Sequence, residues 1–147
     1  MPLLSERDSH RVAEMLAPMT RRVRIVFVTQ TFGCETCPDA RRIYEEVAAL
    51  QSLISIEEVN LVLDADRAAA YGIDVAPGAA IVAVNEDGSE WDPGVRFYGM
   101  PSGYEFMSLV EAILLVSGGQ SGLSDASREK LASVTGPMRI QVFVTPT

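Results

Sequence analysis

Apolar residues fall along this chain in blocks whose spacing changes from one segment to the next. Ser5 to Ala17 has helical spacing, with Val12, Met15 and Leu16 forming one stripe. Ser5 is a candidate N-cap, acids occupy the first turn, and Pro18 stops the helix. Val23 to Thr29 shows almost no polar break, which predicts a central strand covered on both faces. Asp39 to Leu50 returns to the helical period. Leu53 to Asn60 predicts a second strand, with Ile54 and Ile56 on one face, and Leu61 to Tyr71 a short alanine-rich helix capped by Gly72. Ala79 to Val84 is a third strand. Residues 85–94 are polar and turn-rich, a hairpin tip leading to a returning strand over Val95 to Gly99. The last strongly periodic segment is Tyr104 to Val116, a helix expected to turn Phe106, Leu109, Val110, Ile113 and Leu114 inward.

This order predicts an α/β unit, a mixed four-stranded sheet with helices on both faces, over residues 1–117. Small residues at 118–122 then read as a linker, and the start of the chain recurs. Leu4-Ser5-Glu6 is echoed by Leu123-Ser124-Asp125, and Val26-Phe27-Val28-Thr29 by Val142-Phe143-Val144-Thr145. Residues 118–147 are therefore expected to be a linker plus the first helix and strand of a second, incomplete unit. A strand over Arg139 to Thr145 has no sheet of its own, so it is expected to pair with its counterpart in a homodimer or to dock on an edge of the first unit.

Composition narrows the function. The 147 residues, 48% hydrophobic, are enough for one domain with a core. A net charge of −8 disfavours nucleic acid and anionic membrane surfaces as main partners. No apolar run reaches the ~20 residues of a membrane span, and no signal peptide is visible, so a cytoplasmic protein is expected.

The two cysteines, Cys34 and Cys37, lie between the predicted central strand and the helix after it. A cysteine at a helix N-terminus sits where unpaired N–H groups and the helix dipole favour a thiolate. A second cysteine one turn on can reach the same sulfur. A strand feeding a helix through Cys-x-x-Cys points to a redox pair. Two blander readings stay open: inert buried thiols, or half of a zinc site. Zinc needs about four ligands; His10 is the only histidine and no other cysteine exists, so no metal is expected.

Three stretches resemble the glutaredoxin-like protein disulfide oxidoreductases, which join two thioredoxin-fold units in one chain. They are Cys34-Glu35-Thr36-Cys37, Tyr71-Gly72-Ile73-Asp74-Val75-Ala76-Pro77, and Gly94 through Phe106 with its Tyr98-Gly99-Met100-Pro101-Ser102-Gly103 core. The resemblance implies a thioredoxin-like fold and disulfide exchange with protein substrates. Cys34 would be the nucleophile and Cys37 the resolving thiol. Pro77 would be a cis-proline, with the Ala76 backbone offered to substrate. It implies no bound cofactor, and electrons from a thioredoxin-reductase-like protein or a small thiol. The family's second Cys-x-x-Cys is absent, which leaves any chemistry to the first. Gly33 and Val28 stand where thioredoxin proper has a tryptophan and a buried aspartate. Two other functions compete: a non-catalytic protein-binding module, and an electron-relay domain of a peroxide-reductase system.

Around these residues, Thr36 is a candidate helix cap and Pro38 suits the first helical turn. Trp91 is expected to cover a sheet edge, His10 to be exposed, and Tyr98, Tyr104 and Phe106 to serve packing.

Overall fold

Val23, Ile25 and Phe27 project from one side of a strand and Val26 and Val28 from the other, and all five are fully buried. This strand, β1 (Arg22–Thr29), is the middle of the sheet in the computed structural model, which describes residues 2–145. It pairs in parallel with β2 (Ile54–Asn60) and antiparallel with β3 (Gly78–Val84). Beyond β3 lie two short antiparallel strands, β4 (Glu90–Trp91) and β5 (Arg96–Tyr98). The sheet therefore has five strands rather than the expected four. The additional one is the two-residue β4, too short to carry any periodic signal.

The two faces are covered unequally. On one side pack α1 (Glu6–Leu16), α2 (Cys37–Ala49) and α4 (Tyr104–Val116), which contribute Val12, Leu16, Ala40, Ile43, Tyr44, Val47, Leu109, Val110, Ile113 and Val116 to the larger core. Ser5 caps α1 as expected, its side chain accepting from the Asp8 N–H. Phe106 and Leu114, expected inside, are only half-buried.

The other face carries only α3 (Ala65–Ala70), shorter than the helix expected over 61–71. Asn60 explains the loss. Its side-chain oxygen accepts from the N–H groups of Val62 and Leu63 (3.0 Å each), and Asp64 accepts from the Asn60 N–H (2.9 Å). This local turn satisfies donors that a helix would otherwise use.

What α3 leaves open is covered by side-chain ion pairs. Arg67 donates to both oxygens of Glu57 (2.8 Å each) and to Glu90 (3.1 Å), and Arg24 donates to Glu90 (2.6 Å). Tyr71 donates its hydroxyl to Glu90, and Arg96 donates to the Tyr71 carbonyl (2.8 Å). The Arg67 hydrogen bond holds the Glu57 carboxyl below its usual range, and burial followed by Glu90 pushes the Tyr71 hydroxyl up. These groups are partly solvated, so each pair contributes little alone. Together they tie β1, β2, β4, β5 and α3 across one face.

The far end of the sheet is fastened by Ser117. Its hydroxyl accepts from the N–H groups of Thr20 and Arg21 (3.0 and 3.2 Å) and donates to the Arg21 carbonyl (3.1 Å). Thr20 returns a bond to the Ser117 carbonyl (2.9 Å). Ser117 is 1% exposed, and each such bond contributes roughly 0.5–1.5 kcal/mol net.

After Ser117 the chain behaves differently. A fifth helix, α5 (Asp125–Ala132), is capped by Ser124 as α1 is by Ser5, but buries no residue. The strand expected over Arg139 to Thr145 does not form; the segment holds no strand. Its sequence has a strand's side-chain pattern, but a strand needs a neighbouring ladder, and within one chain none is supplied. Met138 to Val144 instead line one side of a cleft of about 350 Å³, with Gly94, Arg96, Tyr98 and Glu105 on the other. Ile140, Val142 and Phe143 remain 78%, 79% and 90% exposed. Pro146 and Thr147 lie outside the described residues.

Candidate functional site

The cysteine loop leaves the C-terminal end of β1 at Thr29 and enters α2 at Cys37. Gly33 makes the turn before Cys34 with φ +72°, a backbone conformation that side-chain-bearing residues rarely adopt. Cys34 and Cys37 are joined as a disulfide, their Cα atoms 5.4 Å apart. Cys37 is the first residue of α2 and 4% exposed, whereas Cys34 is half-buried. The pair thus has an outer and an inner sulfur.

α2 starts two residues before its periodic pattern because Pro38 fits the first turn, where a missing N–H costs nothing. Thr36, the expected cap, makes no side-chain capping bond. The helix N-terminus beside Cys34 therefore keeps backbone donors that no capping side chain occupies, a setting that favours negative charge on sulfur. Glu35, exposed between the cysteines, acts in the opposite sense. Val28 is fully buried and apolar, so no carboxylate underlies the inner cysteine at that position.

The Ala76–Pro77 peptide bond is cis. Pro77 is buried, Ala76 half-buried, and the Pro77 carbonyl accepts from the Gly99 N–H (2.9 Å). The register of the sheet sets Val28 of β1 opposite Gly78 of β3. The loop leaving β1 and the loop entering β3 therefore meet at one end of the sheet, and the cysteines and Ala76–Pro77 share that end.

Sequence reasoning missed several residues here. Gly78 is one: a Cβ built there would lie 2.7 Å from the Ile73 side chain and 2.9 Å from the Val75 carbonyl oxygen. Only glycine lets the 73–77 loop fold back this closely. Phe32, Val62, Leu63, Val75 and Tyr104 are others. They follow or precede strands at the same end, and all are exposed, Phe32, Leu63 and Tyr104 by more than four-fifths. Tyr104, and to a lesser degree Tyr98, thus corrects the packing role expected for it. The available signal was large apolar residues inside loops, where no periodic face can bury them. Farther along α2, the Tyr44 hydroxyl is buried with no hydrogen-bond partner among the described residues; burial, then Glu105, pushes its pKa up. Burial also raises the Glu105 carboxyl.

Trp91, expected in the hairpin tip over a sheet edge, is itself part of edge strand β4 and 47% exposed, with the Arg21 guanidinium 5.2 Å from its ring centre. His10 is exposed and beside Glu14.

A protein disulfide oxidoreductase from Aeropyrum pernix superposes on this chain with a TM-score of 0.74 and 28% identity, over 90% of this chain and 56% of that one. The fold is thioredoxin-like. The alkylhydroperoxide reductase component AhpF of Enterococcus faecalis shares it, with a TM-score of 0.76 and 22% identity over 90% of this chain and 61% of that one. Among curated proteins, this thioredoxin-like unit is 28% identical over 123 residues to the corresponding alkyl hydroperoxide reductase component of Staphylococcus epidermidis, covering 84% of this chain and 21% of the relative. It is 27% identical over 113 residues to an NADH dehydrogenase of Bacillus subtilis, covering 77% and 19%. The chain thus spans about a fifth of the length of these curated relatives. No family model matches it.

The close approach at Gly78 gives a direct test of how the site is held. Gly78→Ala is expected to destabilise the protein by about 1–3 kcal/mol through overpacking, read as a lower urea midpoint. An unchanged midpoint would show that the 73–77 loop yields without cost.

Proposed function

We propose that this unit is a thiol–disulfide oxidoreductase acting on protein disulfides. The observation that carries the reading is the asymmetric pair: an outer Cys34 beside an uncapped helix N-terminus, joined to an inner Cys37. In the reduced protein, the Cys34 thiolate attacks one sulfur of a substrate disulfide. That S–S bond breaks, one substrate thiolate leaves, and a mixed disulfide forms. The Cys37 thiolate then attacks the Cys34 sulfur, which releases the second substrate thiol and closes Cys34–Cys37. Two electrons pass to the substrate, and a thioredoxin-reductase-like protein or a small thiol returns them. In the reverse direction a substrate dithiol opens the Cys34–Cys37 bond and leaves oxidised. Ala76 and Pro77 are assigned to binding, the Ala76 backbone pairing with an extended substrate segment next to Cys34. The setting proposed is cytoplasmic, in cell redox homeostasis.

The likeness to the alkyl hydroperoxide reductase component AhpF supports a second reading, in which the same pair relays electrons inside a peroxide-reductase system. Disulfide exchange is common to both; the readings differ in whether the acceptor is a range of protein disulfides or one dedicated partner. Insulin reduction with dithiothreitol as donor tests the first. Wild type is expected to accelerate precipitation of the insulin B chain and Cys34→Ser to lose that acceleration. Wild type no faster than Cys34→Ser would refute a general reductase.

Residues 1–117 are proposed as the working unit and 118–147 as the linker and opening elements of another. The exposed alternating side chains Ile140, Val142 and Val144 support pairing of this segment with its counterpart in a second copy. Light scattering at tens of micromolar is expected to give a dimer mass for the full chain and a monomer mass for a version ending at Ser117. A monomeric full chain would contradict the pairing.

A further inference from the structure

The three helices of the larger core do not close completely at the cysteine end. Between α1, α2 and α4 lies a surface cleft of about 420 Å³, within the ~300–1,000 Å³ typical of built ligand sites. Its walls are apolar: Val12 and Met15 from α1, Ile43 from α2, Phe106 and Met107 from α4, and Met100 from the loop before α4. Three of the six methionines in the chain line it. Methionine walls are soft and polarisable, and they adapt to side chains of different shape.

The cleft has a built side wall. The Leu3 and Leu4 N–H groups donate to the two oxygens of Glu46 (2.7 and 2.8 Å), which pins the segment before α1 across α2. Burial works against ionisation of Glu46, but these two bonds together with nearby positive charge outweigh it and hold the carboxyl below its ordinary range. Leu3 and Leu4 thus stay at the cleft instead of leaving it to solvent.

Its lining reaches the end of the sheet that carries the cysteines. Asp39, two residues after Cys37, lines the cleft from the first turn of α2, and Ser102 and Gly103 line it from the loop at the same end of the sheet. Asp8, Asp39 and Arg11 line the cleft, and Asp39 is also paired with Arg42 (3.9 Å). Glu35 and Asp74, exposed in the neighbouring cysteine and Ala76–Pro77 loops, leave the surroundings net negative.

Resting on the oxidoreductase reading above, we propose that this cleft is a specificity subsite. It receives a large apolar side chain, phenylalanine, leucine or methionine, that lies near the reacting cysteine of a protein partner and is followed by a basic residue. The apolar walls take the side chain and the net negative surroundings take the base. Burying one large apolar side chain gives roughly tenfold or greater discrimination against its small counterpart.

Two measurements test this. First, the oxidised protein carrying 13C-methyl methionine is titrated with a cysteine-free Phe-Lys peptide. The methyls of Met15, Met100 and Met107 are expected to shift while those of Met19 and Met138 stay, and a Phe-Glu peptide is expected to bind more weakly. Second, the reduced protein is reacted with peptides carrying a chromogenic disulfide beside Phe-Lys or Ala-Lys. The Phe peptide is expected to react roughly tenfold faster, and Met107→Trp, which fills the cleft, is expected to bring that ratio close to one. Unmoved Met15, Met100 and Met107 methyls, equal binding of the Phe-Lys and Phe-Glu peptides, or equal rates for the Phe and Ala peptides would overturn the proposal. If no peptide reacts at all, the oxidoreductase reading fails, and the titration still decides whether the cleft binds.

Discussion

The antiparallel pairing of β1 with β3 is the constraint on which the site depends. It sets Val28 against Gly78, so the chain leaving β1 and the chain entering β3 must emerge at the same end of the sheet. Both strands are buried on their two faces, so a one-residue slip would send Val26 and Val28 into the wrong core and Phe27 out of its own. The register is therefore fixed by burial, and the placement of Cys34, Cys37, Ala76 and Pro77 at one end follows from it. The proposed disulfide exchange would use that convergence, with the Ala76 backbone beside a mixed disulfide on Cys34 to hold the substrate chain.

The two faces of the sheet divide the remaining work. The side carrying α1, α2 and α4 holds the larger apolar core, and it positions the inner cysteine through Ala40, Ile43 and Tyr44 one and two turns farther along the same helix. The α3 side has too little helix for its area. Arg24, Glu57, Arg67, Glu90 and Arg96 complete it with charged side chains that reach between strands. Such a face resists fraying less by the strength of any one pair than by linking strands that share few backbone bonds, β4 and β5 above all.

Much of this was legible in the amino-acid pattern, for physical reasons. β1 announces itself by lacking alternation, since a strand buried on both faces needs no polar positions. α1 is marked at both ends, by the Ser5 cap and by Pro18. Cys34 and Cys37 were readable because their spacing at a strand-to-helix junction has one main chemical use. The misses also share a cause, in that each depends on a three-dimensional placement that residue type and periodicity do not record. Glu90 and Trp91 form a strand only because Val84 and Ala83 lie opposite. Gly78 matters only because the Val75 carbonyl returns within 2.9 Å of where a Cβ would stand. Tyr104 carries the residue type of a packing position, yet it sits at the first turn of α4, past the edge of the core. The 139–145 segment has a strand's pattern and no ladder, because pattern records which faces are apolar and not what they meet.

The proposed exchange requires Cys34 to be the sulfur that meets a substrate and Cys37 the one that releases it. Single-cysteine variants separate the two roles. Cys37→Ser and Cys34→Ser are each incubated with a disulfide-containing protein and examined by mass spectrometry without reductant. The account predicts a stable mixed disulfide on Cys34 in the first variant and little or none on Cys37 in the second. Equal adducts in both variants, or an adduct only on Cys37, would contradict it.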